Sequence, residues 1–320
     1  MGDSQMDAQG VDTTDAAGMP EDKGSRSRPK IPPQSQPVQD VITSSYAIHS
    51  EEFHSAGYKI CPKAGKAVIV SNFMGEYNPR PSRQSKDPEC RGYASKDCED
   101  LEFELKRLGF EPLSGDEQNG MVYKNLTNNQ LTDLYKRAAK EDYRPKDGQG
   151  YTCVLFIVMS YGRSGLIKCH AEDSKGHHEY VEQKNIQEAF QPQNNHSLAL
   201  KPKIFIIQTI PEQEDMADDI EGQEVKTTKR IPREADFLTY SCDSYCLKTQ
   251  SGSCENIFAR SIVSILRDIA EDKNNGKPAM EIQRIFIRMN KHYKEERTHS
   301  NWKIPCVTSS LTKQLKLFKD

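Results

Sequence analysis

Two apolar runs of strand length constrain this sequence more than any other feature. Residues 151–159 read Tyr-Thr-Cys-Val-Leu-Phe-Ile-Val-Met, and residues 203–210 read Lys-Ile-Phe-Ile-Ile-Gln-Thr-Ile. Such β-branched and aromatic runs suit strands that are buried on both faces of a parallel sheet. In open α/β sheets the functional groups lie just beyond the carboxyl ends of these strands. The first candidates for a site are therefore Ser160, Tyr161 and Gly162, with Gln208, Thr209 and Ile210.

Strand-like and helix-like patterns alternate along the rest of the chain, which is typical of an α/β sheet. Thr127 and Gln130 have the spacing of a capping box and predict the start of one helix. Gly109 predicts the end of another. Further strands are predicted at 66–72, 236–241 and near 303–309, and helices at 97–108, 255–271 and 279–294. The helix positions expected to face the core are Leu101, Leu105, Leu108, Leu131, Leu134, Tyr135, Ala138, Phe258, Ile262, Ile265, Leu266, Ile269, Ile282, Ile285, Phe286 and Met289.

Composition argues against several classes of function. A net charge of −3 over 320 residues provides no electrostatic case for nucleic acid or an anionic membrane surface. No apolar run reaches the ~20 residues of a membrane helix, and the first 40 residues lack the apolar segment of a secretory signal. The nine cysteines, without Cys-x-x-Cys spacing, indicate reduced thiols in a cytoplasmic protein.

One group of residues has the chemistry of a metal site. It consists of Cys169 and His170 together with His177 and His178. Their separation matches no standard zinc pattern, and we expect a surface hairpin at this place. The sequence therefore predicts neither a metal nor a cofactor.

Two segments are polar and lack helix or strand periodicity. Residues 1–57 are rich in Ser, Gln, Asp, Gly and Pro, which predicts disorder. Residues 211–230 are strongly charged and lack an apolar period, which is typical of a linker.

Short matches, in the order in which they occur, make the sequence resemble the caspase family over roughly residues 58–320. They begin with Lys66-Ala-Val-Ile-Val-Ser-Asn, Arg91, Asp97-Cys-Glu-Asp-Leu and Leu108-Gly-Phe. The later matches are Asn125-Leu-Thr, Cys153-Val-Leu-Phe-Ile-Val-Met-Ser, Lys201-Pro-Lys-Ile-Phe-Ile-Ile-Gln, Ile231-Pro-Arg-Glu-Ala-Asp-Phe-Leu, Gly252-Ser and Ile304-Pro-Cys-Val-Thr-Ser-Ser-Leu-Thr-Lys.

The resemblance implies one caspase-like α/β domain with a six-stranded, mostly parallel sheet and helices on both faces. It divides the chain into a short prodomain over 1–57, a large-subunit part over 58–210, an intersubunit linker over 211–230 and a small-subunit part over 231–320. The prodomain has no room for a folded death-adaptor module. The layout therefore resembles that of executioner caspases, which act in apoptosis.

Two positions decide whether such a fold can cleave peptides. Caspases attack the substrate with a cysteine and use a histidine as its base, and the matching positions here are Ile210 and Tyr161. An alkyl group has no lone pair, and a phenol with a pKa near 10 is a poor proton acceptor at pH 7. Losing one member of a catalytic unit costs a rate factor on the order of 10⁶. The resemblance thus implies an inactive homologue, even though Gly162 is retained at the position of an oxyanion-hole donor.

The specificity pocket is only partly retained. Caspases hold an aspartate side chain with two arginines and a glutamine. Arg91 and Gln208 match one arginine and the glutamine, whereas Lys248 is the nearest match to the second arginine. Lysine lacks the planar fork that grips a carboxylate, so we expect weak aspartate binding or none.

The last predicted strand is an expected contact surface. Pro305 cannot donate to a sheet ladder, which predicts an edge or the beginning of a strand, and exposed edges pair with other chains. In caspases this edge forms the two-fold dimer contact, which implies a dimer edge at Ile304, Pro305, Cys306, Val307 and Thr308. Candidate cleavage sites for another caspase are Asp40, Asp215, Asp218 and Asp219.

Three functions follow as alternatives. The first is a pseudocaspase that forms a heterodimer with an active caspase paralogue, with activation favoured over a decoy or inhibitory role; a homodimer stays open. The second is a residual cysteine endopeptidase with a relocated nucleophile. The third is a non-catalytic module that binds acidic peptides through Arg91, Gln208 and Lys248. The candidate relocated nucleophiles are Cys153, Cys242, Cys246 and Cys254.

Overall fold

The structure is a computed structural model that describes residues 55–72, 90–144, 149–163, 165–170, 179–210, 235–243, 247–248, 254–296 and 303–319. The strands are β1 (Lys63–Ser71), β2 (Phe110–Glu111), β3 (Val122–Lys124), β4 (Tyr151–Arg163), β5 (Leu166–Lys168), β6 (Tyr180–Glu182), β7 (Lys203–Ile210), β8 (Phe237–Asp243), β9 (Leu247–Lys248), β10 (Cys254–Glu255) and β11 (Cys306–Ser309). The helices are α1 (Cys90–Leu108), α2 (Asn128–Lys140), α3 (Gln183–Ala189), α4 (Ile257–Asn274) and α5 (Ile282–Glu296), with a short 3₁₀ helix at His196–Leu198.

The central sheet has the strand order β11-β8-β7-β4-β1-β2. The strands from β8 to β2 are parallel to one another, and only β11 at one end runs antiparallel to its neighbour. Strand β3 also pairs with β1, and β5 and β6 form a hairpin next to the end of β4. The predicted six-stranded, mostly parallel α/β sheet is therefore confirmed.

Helices cover both faces of the sheet, as predicted. One apolar cluster joins the sheet to α1, α4 and α5 through residues such as Leu105, Phe258 and Phe286. The other cluster joins the opposite face to α2 and α3 through residues such as Leu131 and Ile186. All of the helix positions expected to face the core are buried. The two clusters thus identify which face of the sheet each of these helices covers.

The predicted sequence signals at the helix ends are present, although the start of one helix differs from the predicted residue. Thr127 and Gln130 form the predicted capping box at the start of α2. Gly109 follows α1 with a φ of +96°, a left-handed conformation that favours glycine. Helix α1 begins at Cys90 rather than at the predicted residue 97.

The last strand lies at the sheet edge that the sequence predicted. Pro305 immediately precedes β11, where its missing N–H removes no ladder bond. All four residues of β11 are exposed. Among the described residues, β11 pairs with β8 alone, so its other side is available for a further strand.

Residues next to the predicted boundary at residue 58 contact the end of the chain. Gly57 forms a bridge to Gln314, and the Gln314 amide donates to the carbonyl of Ala56 at 3.0 Å. Residues 1–54 and 211–234 lie outside the described residues, and with them the disordered prodomain and the linker, which stay predictions. The same holds for the candidate cleavage sites Asp40, Asp215, Asp218 and Asp219.

Candidate functional site

The carboxyl ends of β4 and β7 bring the two predicted catalytic positions together. The register of these parallel strands pairs Tyr161 with Ile210 and Ser160 with Thr209. Ile210 is 7% exposed and belongs to the core, and the half-buried Tyr161 packs against the same apolar cluster. The pair therefore forms part of a hydrophobic wall. Neither side chain supplies a nucleophile with an adjacent base.

Gly162 is required by local packing. It pairs with Ile167 at the turn from β4 into β5. A Cβ atom at position 162 would collide with the carbonyl oxygen of Leu166 and lie 3.3 Å from the Thr209 methyl carbon. The retention of this glycine therefore has a structural explanation that does not need an oxyanion hole.

Gln208 is held in the core by a reciprocal pair of amide hydrogen bonds. Its Nε2 donates to Asn256 Oδ1 at 2.9 Å, and Asn256 Nδ2 donates to Gln208 Oε1 at 2.7 Å. Asn256 Oδ1 also accepts the Ala259 backbone N–H at 3.2 Å, which caps α4. Both side chains are buried. Binding of a ligand by Gln208 would compete with this pair, which the sequence did not predict.

The other two predicted pocket residues are described only in their backbone. Arg91 lies in the first turn of α1, and Lys248 lies in β9, where it pairs with Cys254 of β10. Their side chains lie outside what the structure describes. The predicted aspartate pocket of Arg91, Gln208 and Lys248 therefore stays a prediction.

A polar cluster lies next to Ile210 that was not predicted from the sequence. Thr209 Oγ1 donates to Asp243 Oδ1 at 2.5 Å, and Lys303 Nζ lies 3.3 Å from Asp243 Oδ2. Thr209 and Asp243 are register partners in β7 and β8. The available signal was the position of Asp243, two residues beyond the end of the strand predicted at 236–241. The cluster ties the carboxyl ends of two strands to the segment that leads into β11.

Two of the candidate relocated nucleophiles lie in the core. Cys153 is fully buried, its thiol donates to the Ala64 carbonyl at 3.2 Å, and burial raises its pKa to about 12. Cys242 is also buried, with its sulfur 3.8 Å from the Tyr293 hydroxyl. Thiol attack requires an accessible thiolate, which neither position offers. Cys246 and the side chain of Cys254 lie outside the described residues.

The predicted hairpin around Cys169 is present, but the cysteine is not on its surface. Lys168 of β5 pairs with Tyr180 of β6, and the Cys169 amide donates to the Glu179 carbonyl at 2.8 Å. Cys169 is buried, and this burial raises the pKa of its thiol to about 12. His177 and His178 lie outside the described residues. In the part of the chain that is described, no three His, Cys, Asp or Glu side chains are grouped to hold a metal ion.

The predicted dimer edge presents a mixed surface. Ile304 is 54% exposed and Val307 is 37% exposed, whereas Pro305 is buried. Cys306 and Thr308 are exposed between them. Because Val307 is opposite the buried Tyr240 of β8, an added strand would extend the sheet next to the core.

None of the described helices is both long enough and apolar enough to cross a lipid bilayer.

Comparisons with known proteins agree with this architecture. Residues 64–316 match the family model of the caspase domain. The chain is 26% identical over 293 residues to Caspase-7 of Gallus gallus, covering 86% of this chain and 83% of that protein. It is 25% identical over 288 residues to Caspase-3 of Mesocricetus auratus, covering 86% and 92%. The crystal structure of Caspase-1 from Spodoptera frugiperda has the same fold, with a TM-score of 0.57 at 20% identity, covering 83% and 94%. Because the family model spans most of the chain, this protein belongs to the caspase family.

Proposed function

We propose that this caspase homologue has lost peptidase chemistry and regulates an active caspase by pairing with it along β11. The observation that carries the proposal is the occupancy of the strand ends by Tyr161 and Ile210. These residues are register partners at the place where the family resemblance puts the base and the nucleophile. The packing of Ile210 in the core further supports a structural role for this position.

The retained family features are consistent with a structural role. Gly162 is needed for the turn into β5. Gln208 holds Asn256, and Asn256 caps α4. Neither residue requires catalysis to explain its presence. A chain under selection for partner binding needs a well-packed scaffold, and these contacts contribute to one.

The exposed edge gives the proposal its mechanism. An antiparallel strand from a second caspase domain can satisfy the outer N–H and C=O groups of β11 and cover Val307. Binding of a folded neighbour shifts the partner toward its competent loop conformation if that conformation has the better-fitting edge. An ordered sheet favours activation, because such a platform stabilises the neighbouring chain; a decoy would occupy the edge without this effect.

The test is to mix the purified chain with an active executioner caspase and to follow hydrolysis of an aspartate-directed peptide. We expect a saturable change of rate, upward for an activator and downward for a decoy. Association of the two chains is measured in parallel by analytical ultracentrifugation. An unchanged rate at saturating excess of this chain contradicts both versions of the proposal.

A matched pair of variants shows whether the effect acts through β11. Val307→Glu places a charge on the pairing edge, whereas Phe103→Glu makes the same change at an exposed position of α1. We expect the first variant to lose the rate effect and association together and the second to retain both. Equal behaviour of the two variants would show that β11 is not the contact.

A further inference from the structure

Helix α5 presents a basic stripe on the face that points away from the core. The stripe consists of Arg284, Ile287, Lys291 and Lys294, which are all exposed. Their spacing places them on one side of a helix with 3.6 residues per turn, over a length of about 15 Å. Ile287 is 67% exposed, more than any other large apolar side chain among the described residues. The opposite side is formed by the buried residues Ile282, Ile285, Phe286, Met289 and Tyr293.

The cations of the stripe are weakly compensated within the chain. Among the described residues, Arg284 and Lys294 have no acidic partner within 4.0 Å. Lys291 has only the exposed Glu295 one turn away, at 3.7 Å. By contrast, Arg288 on the flank of the helix is paired with Asp268 at 2.9 Å. A single exposed isoleucine is unremarkable by itself, but here it lies in the middle of three cations that have spare hydrogen-bonding capacity.

The same chain carries a segment of complementary chemistry. Residues 211–225 contain no Lys or Arg. Met216 and Ile220 are large apolar side chains four residues apart within the acidic run, so either could cover Ile287. The carboxylates of the segment belong to Glu212, Glu214, Asp215, Asp218, Asp219, Glu221 and Glu224.

Sheet topology indicates which molecule supplies this segment. The connection from β4 to β7 carries α3, and α3 packs on the sheet face opposite α5. The connection from β7 to β8, which contains residues 211–225, moves across the sheet in the same direction. Because parallel crossovers share one hand, we expect the connection from β7 to β8 on the α3 face. This expectation favours a second copy over the chain's own segment as the ligand of the stripe.

We propose that the basic stripe of α5 binds the acidic segment 211–225 of a second copy of this chain. Carboxylates of the segment pair with Arg284, Lys291 and Lys294, and an aliphatic side chain of the segment covers Ile287. This contact is separate from β11 and does not depend on the proposed function. It makes the acidic segment of one molecule a ligand of the next.

Binding is tested with a fluorescent peptide of residues 211–225 titrated against the full chain and followed by anisotropy. We expect saturable binding at low ionic strength that is lost at 1 M salt, where the Debye length is about 3 Å. The variant Arg284→Glu/Lys291→Glu/Lys294→Glu should weaken binding by about tenfold or more, because three attractions become repulsions. Ile287→Ser should weaken it by severalfold with the charges intact.

The matched control is Lys96→Glu/Lys136→Glu/Lys140→Glu, which makes the same change of charge at exposed lysines of α1 and α2. It should bind the peptide with nearly the affinity of the wild type, with a small decrease from the more negative net charge. Circular dichroism verifies that each variant is folded. Equal weakening by the control and the stripe variant, or no binding by the wild type at low salt, would overturn the proposal.

A mixing experiment distinguishes a second copy from the chain's own segment. One variant carries the reversed stripe, and the other has the carboxylates of 211–225 replaced by amides; both carry Val307→Glu to suppress pairing along β11. Neither variant alone can form the contact. In the mixture, the intact stripe of the second variant can bind the intact segment of the first. Sedimentation should therefore show association in the mixture only. The alternative result is that the mixture does not associate and that the peptide binds only to the variant whose own carboxylates are neutralised. This result would assign the segment to its own stripe and refute the second-copy contact.

Discussion

Asn256 gives a quantitative test of how the site is built. Its Oδ1 accepts from Ala259 N–H at 3.2 Å and from Gln208 Nε2 at 2.9 Å, and its Nδ2 donates to Gln208 Oε1 at 2.7 Å. Replacing it by alanine removes the cap of α4 and leaves a buried amide of Gln208 without these partners. Replacing it by serine retains a cap but also removes the pairing with Gln208.

The magnitudes follow from these two roles. Loss of an N-cap side chain costs about 1 kcal/mol. Leaving a buried polar group unsatisfied costs roughly 1–3 kcal/mol. We therefore expect Asn256→Ala to lower the free energy of unfolding by about 3 kcal/mol and Asn256→Ser to lower it by about 2 kcal/mol.

The assay is urea unfolding followed by circular dichroism, with the dependence on urea concentration compared between variants. The double variant Asn256→Ser/Gln208→Leu should recover part of the serine loss, because no buried amide then remains unpaired. Losses below about 0.5 kcal/mol for both single variants, a range typical of uninvolved surface positions, would show that Gln208 is not held as described. A role of Gln208 in binding a ligand would then be favoured.

Three further results are expected. Burial lowers the pKa of Lys203 from 10.5 to about 8. Because the unfolded state binds more protons between these pH values, the free energy of unfolding of the wild type relative to Lys203→Met should rise from about pH 8 to 10.5 in urea unfolding. A difference that does not depend on pH would contradict this. Gly162→Ala should lower the free energy of unfolding by about 1–3 kcal/mol through the collision with Leu166, whereas a smaller loss would show that the turn can adjust. An electrophilic aspartyl peptide should leave Cys153 and Cys242 unmodified in mass spectra of the folded protein, because both thiols are buried; stoichiometric labelling of either would revive the relocated nucleophile.

Features with a local physical cause could be predicted from the sequence. The strands β4 and β7 could be predicted because short apolar runs rich in β-branched residues are typical of strands buried on both faces of a parallel sheet. The inward faces of α4 and α5 follow from the spacing of their apolar residues. The capping box at Thr127 and the edge position of β11 were predictable for the same reason, since each depends on a few neighbouring residues.

Features that join distant parts of the chain could not be predicted in this way. Gln208 and Asn256 are 48 residues apart, and nothing in either neighbourhood indicates the other as its partner. Thr209 and Asp243 meet only because β7 and β8 are aligned in one register. Cys169 was expected on a surface hairpin but is buried, because packing around β5 decides its exposure. The candidate site could be located at the strand ends, but not its hydrogen-bond network.

The central claim is that residues Tyr161 and Ile210 leave the chain without peptidase chemistry, so that it acts through contacts with other proteins. The most direct measurement is the turnover of an aspartate-directed fluorogenic peptide by the purified chain, freed of any host caspase. The account predicts a rate indistinguishable from that of buffer. Turnover comparable to that of an active caspase, in proportion to the amount of this chain, would contradict it.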